Sequence, residues 1–453
     1  MEIYWLQFIV LFVSVALCIQ GVFTLIWMLY AWEDPSKLEK QKSPVKFSDP
    51  LFTFSALVPV RNEEKVIGDT IRAISNINYP EELKEILVLC RADDQESILE
   101  VNKTITNLGK DNIRLLVLDD LPINKPHSLN IGLKNIQNRI IKIPKSDDQP
   151  SFNIYNVNHV ITVFDAEDQP HRDIYNIVNT LMTSEAVDVV QSGVQLMNFR
   201  SRWFSSINVL EYFFWFKSGL HFFSRIGNVT PLGGNTVFIK KDYLEQINGW
   251  DENCLTEDAD LGIRLANQGA KIRVVYDEQH VTKEETPDSL GSFIKQRTRW
   301  NHGFLQVIKK GDWKKLPQTR QKLVALYTLI APIFQVLFIL YLPFGLWIAT
   351  HYKLPVLVST FSFIPTYIFI MQIAIYFIGL KEFSKSYGLK YSIVDSFKLL
   401  IAFLPYQLIL TLASLRATHR FLSNQNLWEK TSHVNAHRSL SVEVIPAYVY
   451  ADN

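Results

Sequence analysis

Cysteine is scarce: the 453 residues contain three, Cys18, Cys90 and Cys254, far apart and with neither CxxC nor histidine spacing. A disulfide framework and a thiolate zinc site are therefore excluded, and a reducing compartment suits the chain. Net charge is also nearly absent, at +1, and Lys and Arg form no long block. That balance argues against a nucleic-acid partner. No GxGxxG and no GxxxxGK[ST] follows the first β-type run, which disfavours a dinucleotide dehydrogenase and a P-loop NTPase.

Charge is missing from whole stretches as well. Residues 3–30 carry no charged side chain, and about 20 apolar residues cross a bilayer core, so 1–32 reads as a transmembrane anchor. A cleaved signal peptide would need a basic n-region and a small-residue cleavage site, and neither is present. Uncharged runs at 323–350 and 354–380 read as two further spans. A fourth run, 399–415, holds Pro405 and lies between Lys398 and Arg416; a short span, a re-entrant segment and an interfacial helix all fit it. The expected membrane region is thus one N-terminal helix and about three C-terminal ones within 323–420. The confident spans lack ionisable residues, which disfavours a channel or transporter.

Basic residues gather on cytoplasmic flanks of spans. Lys37, Lys40, Lys42 and Lys46 follow the first run, Lys309, Lys310, Lys314, Lys315 and Arg320 precede the second, and Lys381, Lys385 and Lys390 follow the third. An integral protein of the cell or inner membrane is expected, with its middle domain cytoplasmic. The tail, 421–453, conflicts: if 399–415 crosses, Arg416, Arg420, Lys430 and Arg438 end outside.

After a linker at 33–50, residues 51–285 alternate short β-rich runs with helical stretches, the pattern of an α/β domain with a mostly parallel sheet. Strands are expected at 54–60, 85–90, 113–118 and 159–164, with more near 187–192 and 271–276. Polar clusters follow several of them: Arg61 to Glu64, Asp93-Asp94, and Asp165-Ala166-Glu167-Asp168. One cluster alone reads as loop polarity; several on one sheet edge read as a ligand site. Adjacent carboxylates are the hard oxygen ligands that Mg²⁺ or Mn²⁺ prefers when it bridges phosphates.

Four elements then occur in order: Pro59-Val60-Arg61-Asn62-Glu63-Glu64, Val163-Phe164-Asp165-Ala166-Glu167-Asp168, Thr256-Glu257-Asp258, and Gln296-Arg297-Thr298-Arg299-Trp300. Two lesser ones are Lys125-Pro126-His127-Ser128-Leu129-Asn130 and Gly233-Gly234-Asn235-Thr236. On these the chain resembles the family-2 inverting glycosyltransferases of GT-A fold, which include cellulose, hyaluronan and chitin synthases and ceramide glucosyltransferases. The resemblance covers roughly 51–310.

It implies a division of labour. Asp258, next to Glu257 at the substrate, would be the general base; Asp165 and Glu167, with Asp168 nearby, would hold the metal that stabilises a departing diphosphate. Glu63 belongs to the nucleotide-binding start, Lys125 would reach the donor phosphates, and Gln296, Arg299 and Trp300 would bind substrate, Arg299 at the diphosphate and Trp300 under an acceptor sugar. Where the family usually has an Asp for the nucleobase, this chain reads Leu89-Cys90-Arg91-Ala92-Asp93-Asp94, leaving Asp93 or Asp94 for that role. Competing readings are a capping box at Thr256 and a purely interfacial amphipathic helix within 286–322. The implied reaction moves a sugar, most often from a UDP-sugar, onto a growing polysaccharide. A membrane-lipid acceptor stays open, as does a homo-oligomer or export partner for the product. A non-catalytic scaffold of a glycan export complex is disfavoured, because the base and metal carboxylates are present.

Overall fold

The computed structural model describes residues 2–33, 35–136, 158–429 and 438. The expected runs form β1 (Thr53–Val60), β2 (Lys84–Arg91), β3 (Ile113–Leu118), β4 (His159–Val163), β5 (Val189–Ser192) and β8 (Ile272–Val275). β1 and β4 are apolar almost throughout and almost wholly buried, as strands covered on both faces must be. One strand of the main sheet was not expected. β7 (Val237–Lys240) runs antiparallel between β4 and β5, so the seven-stranded order is β3-β2-β1-β4-β7-β5-β8. Short β6 (Val194–Leu196) and β9 (Thr282–Glu284) pair separately.

Nine helices build the site and the apolar region: α1 (Glu2–Leu29), α2 (Gln95–Leu108), α3 (Lys125–Lys134), α4 (Ser205–Phe214), α5 (Glu257–Asn267), α6 (Leu290–Lys310), α7 (Thr319–His351), α8 (Val356–Ser386) and α9 (Ile393–Leu422). The sheet is an α/β core with apolar layers on both faces, Val58, Ile71 and Val101 in one, Leu57, Leu89 and Leu129 in the other. Lys217, buried, ties this core to α8: its ammonium lies 2.8 Å from Glu278 and 2.5 Å from Glu382.

Segments of α1, α7, α8 and α9 are each long and apolar enough to cross a membrane. The bundle is interlocked: the hydroxyls of Thr24 and Tyr327 sit 2.8 Å apart between α1 and α7, and Gly21 on α1 gives room to Ile368 on α8. α9 continues unbroken through Pro405 and lies along α6. Tyr406 packs on Phe293, Asn301 donates to Ser414 at 2.8 Å, and His302 meets Phe421 edge-on. One end of α9 touches the α/β domain and the other touches α6. Asp395 pairs with Arg200 at 2.7 Å at its start, and Gln306 donates to Asn426 at 3.3 Å just past its end. One face of α9 buries Asp395, Leu399, Phe403, Tyr406 and Ser414, while Phe397, Ile401, Leu404, Leu408, Leu412 and Leu415 form an exposed apolar stripe on the other. Beyond 429 the tail lies outside the described residues except for Arg438, which donates to Thr70 at 2.7 Å and to the Asp168 carbonyl at 2.9 Å.

Candidate active site

Carboxyl ends of the strands open on a cleft of roughly 480 Å³. Glu63, Lys125, Asp165, Glu167, Glu257, Asp258, Gln296, Arg299 and Trp300, all singled out above, line it together. Asp94 does not. Its carboxylate caps α2 by accepting from Ser97 N–H at 3.3 Å and also accepts from Asn62 N–H, so it shapes the turn after β1 from behind. Asp93 sits outside the lining too, exposed and 3.5 Å from Arg61. The residue that enters the cleft from the end of β2 is Arg91.

The acids arrive from separate elements. Asp165 follows β4, and Asp168, fully buried, holds that turn by accepting from Asp165 N–H at 2.9 Å. Asn235, after the glycine pair, donates to both Asp168 oxygens at 2.8 and 3.0 Å and also contacts Glu284. Glu257 and Asp258 begin α5. Thr256 occupies the N-cap position but its side chain makes no capping bond, so the capping-box reading fails here and the two acids face the cleft. Gly234 is required by close approach: a Cβ there would lie 3.3 Å from both Asp258 Oδ2 and Lys125 Nζ.

Lys125 opens α3, whose cap Asn124 accepts from His127 N–H at 2.9 Å. Its ammonium lies 2.5 Å from Asp165 Oδ1, 2.9 Å from the Gly234 carbonyl and 4.0 Å from Glu257. Burial alone would lower its pKa, but Asp165 and Glu257 hold it above the usual lysine value. The carboxylates go the other way. Burial, then Glu284 and Asp165, pushes Asp168 well up; burial and Asp258 push Glu257 up to about 7. Asp258 is raised by burial against the pull of Ala259 N–H, Lys125 and Arg299. The cleft thus carries more negative charge than its cations neutralise. That excess is the setting a divalent cation fits, with Asp165 and Glu167 as candidate oxygen donors. A second candidate group, His171, Asp173 and His280, brings three ligating atoms within 4.8 Å, outside the cleft lining.

The α6 residues diverge. Arg299 enters the cleft with Nε lacking a hydrogen-bond partner among the described residues, and its guanidinium lies 4.4 Å from the ring of Trp428. Arg297 turns away to Asn208, Glu211 and Tyr406, which join α4 and α9 behind the cleft. Trp300 lines the cleft with the Arg297 guanidinium 4.7 Å from its ring. Sequence reading missed Asn208, Tyr212, Glu284 and Trp428, which also line it. Only Trp428 left a trace, the single tryptophan of the tail.

A family model described as "Glycosyltransferase like family 2" matches residues 50–303. YdaM of Bacillus subtilis, a probable glycosyltransferase, is 24% identical over 85% of this chain and 88% of that protein. Beta-monoglucosyldiacylglycerol synthase of Trichormus variabilis is 25% identical over 56% of this chain, which spans 49% of that protein. Poly-beta-1,6-N-acetyl-D-glucosamine synthase of Staphylococcus epidermidis is 24% identical over 61% of this chain and 60% of that protein. Among solved structures, the mannosyltransferase PcManGT of Pyrobaculum calidifontis, held in complex with GDP-Man and Mn²⁺, aligns at a TM-score of 0.57 and 16% identity, covering 92% of this chain and 99% of that one. That likeness is one of fold.

Proposed function

The chain belongs to glycosyltransferase family 2, and on that premise we propose that it transfers a sugar, with inversion, from a nucleoside-diphosphate sugar to a growing glycan at the membrane surface. The observation that carries the reading is the convergence of Asp258, Asp165, Glu167, Lys125 and Arg299 on one cleft. Asp258 takes the proton of the acceptor hydroxyl as that oxygen attacks the anomeric carbon, and burial raises its pKa, which strengthens it as a base. Lys125 and Arg299 approach the diphosphate from two elements and stabilise the charge that builds on it as the glycosidic bond breaks. Asp165 and Glu167 hold a divalent cation, which when bound supplies further Lewis-acid stabilisation of the leaving group. Trp300 offers a flat face for the acceptor sugar.

The membrane layout follows the same logic. One end on the α/β domain, the other on α6, and an apolar stripe between them support α9 lying flat in the bilayer surface. The chain then crosses three times, through α1, α7 and α8, and the basic tail stays on the catalytic side, in the cytoplasm. A lipid acceptor is the second reading, favoured by the cleft's wall of Asn208 and Tyr212 against the membrane helices.

Asp258→Asn in detergent-purified protein should keep nucleoside-diphosphate binding and lose transfer by at least ~100-fold; retained turnover would refute the base. Excess chelator should abolish transfer and Mn²⁺ restore it, and full activity in chelator would remove the metal role. Sizing the product from labelled donor separates polymer from a single organic-extractable glycolipid.

A further inference from the structure

We infer that His171, Asp173 and His280 form a second metal site, one that takes a divalent transition ion of the zinc class and clips together two segments behind the catalytic cleft. Their three ligating atoms lie within 4.8 Å of one another, and none of the three residues lines the cleft. His171 and Asp173 belong to the turn that follows Asp165 to Asp168 and leads into the helix Ile174–Ser184, whereas His280 belongs to the loop between β8 and β9. The two segments already meet through their backbones: Gln169 and Lys283 exchange N–H to carbonyl bonds of 3.1 and 3.0 Å. Gln169 follows Asp168, which holds the Asp165 turn, and Lys283 precedes Glu284, which lines the cleft. A cation on the three side chains therefore fixes the spacing of two cleft walls without touching substrate.

Each ligand is prepared by a neighbour. His280 donates from Nδ1 to Asp277 Oδ2 at 3.0 Å, which leaves the Nε2 lone pair for a metal, the carboxylate–histidine pairing that orients zinc ligands. Asp173 stands at the N-cap of its helix, yet its side chain makes no capping bond. Its Oδ1 accepts from Asn78 at 3.2 Å, and Oδ2 lies 3.9 Å from His171 Nδ1. His171 Nδ1 accepts from the Asp173 N–H at 3.1 Å, a lone pair that a cation can take over. The two rings meet edge to face, with centroids 4.6 Å apart, and all three residues are partly buried. Two imidazoles and a carboxylate, with water in a fourth position, suit zinc; Mg²⁺ prefers oxygen throughout. The donor set thus differs in kind from the oxygen pair of Asp165 and Glu167.

The test is metal retention by the full-length, detergent-purified protein, stripped with chelator and given Zn²⁺ in large excess of Mg²⁺, which competes for the oxygen donors of the cleft and not for imidazoles. After desalting, elemental analysis should find about one Zn²⁺ per chain, and Zn²⁺ should raise the melting temperature. His280→Ala should lose both effects, Asp277→Asn should weaken retention by about 10- to 100-fold with all three ligands in place, and Asp165→Asn should keep zinc as wild type does. Metal-free variants that melt with metal-free wild type separate lost binding from lost folding, and Co²⁺ in the wild type, which should show the visible absorption of an imidazole-ligated ion, needs no variant at all. Absence of Zn²⁺ from wild type, or its full retention in the double variant His171→Ala/His280→Ala, overturns the site. Loss of zinc in Asp165→Asn with His280→Ala unaffected assigns the ion to the cleft and overturns it equally.

Discussion

At the scale of single residues, the adjacent acids Glu257 and Asp258 set how the cleft responds to pH. Burial raises both, and Asp258 raises Glu257 further. A general base works only when deprotonated, so activity is present above the raised value and is lost as pH falls through it. The acid limb of kcat/KM should therefore lie above the ordinary carboxylate value of about 4. Asp258 is among the causes of the rise at Glu257, whereas burial alone drives the rise at Asp258, so Glu257→Gln should leave that limb in place while sparing most of the turnover; a limb that moves to lower pH would show that Glu257 also raises the base. Lys125 bears on the same balance, because its ammonium faces Asp165 and Glu257 together.

At the scale of elements, the catalytic constellation depends on how α6 crosses the start of α5. Gly303 makes that crossing possible: a Cβ there would lie 2.4 Å from Thr256 Oγ1 and 2.6 Å from Thr256 N, a backbone atom that cannot rotate aside. Gly303→Ala should therefore push α6 and the turn before α5 apart. Asp258 is two residues from one side of this contact and Arg299 one helical turn from the other. Overpacking of this kind costs about 1–3 kcal/mol in stability, whereas a displacement of about 1 Å can cost 100-fold in rate. Transfer should fall by about that factor while the melting temperature moves only a few degrees, and a wild-type rate would show that the contact relaxes freely. Such crossings explain what could be read in advance. β1, β2 and β4 are short runs rich in apolar and β-branched residues, and motif acids follow β1 and β4, so both were legible locally. β7 is four residues long after a glycine turn and escaped; Asn208, Tyr212 and Glu284 reach the cleft only through tertiary packing. Asp94 was read toward the ligand, although its place just before a helical stretch was an N-cap signal, and the cap is where its carboxylate goes.

For the whole molecule, the charge pattern leaves open where the tail lies, and the contacts of α9 support the cytoplasmic placement proposed above. At 30 residues and 1.5 Å per residue the helix is about 45 Å long, ample for a crossing, and its apolar content alone would allow one. A crossing helix, however, carries its two ends to opposite faces, and here Asp395 at one end bonds to the α/β domain while Asn426 beyond the other bonds to α6 beside the cleft. Glu429 adds to the restraint by pairing with Arg416 at 2.6 Å, as the neighbouring Trp428 packs on Arg299 inside the cleft. With three crossings, Arg416, Arg420 and Arg438 share the side of Lys309, Lys310 and Lys385, as the positive-inside rule asks. The three native cysteines are buried, so single introduced thiols give a clean readout. Ser423→Cys, at an exposed position after α9, should react with a membrane-impermeant maleimide only after the cells are opened. Tyr352→Cys, in the turn between α7 and α8, should react in intact cells. Labelling of Ser423→Cys from outside would mean that α9 crosses and that Trp428 cannot belong to the cleft; protection of both positions in intact cells would instead remove the α7–α8 pair from the bilayer.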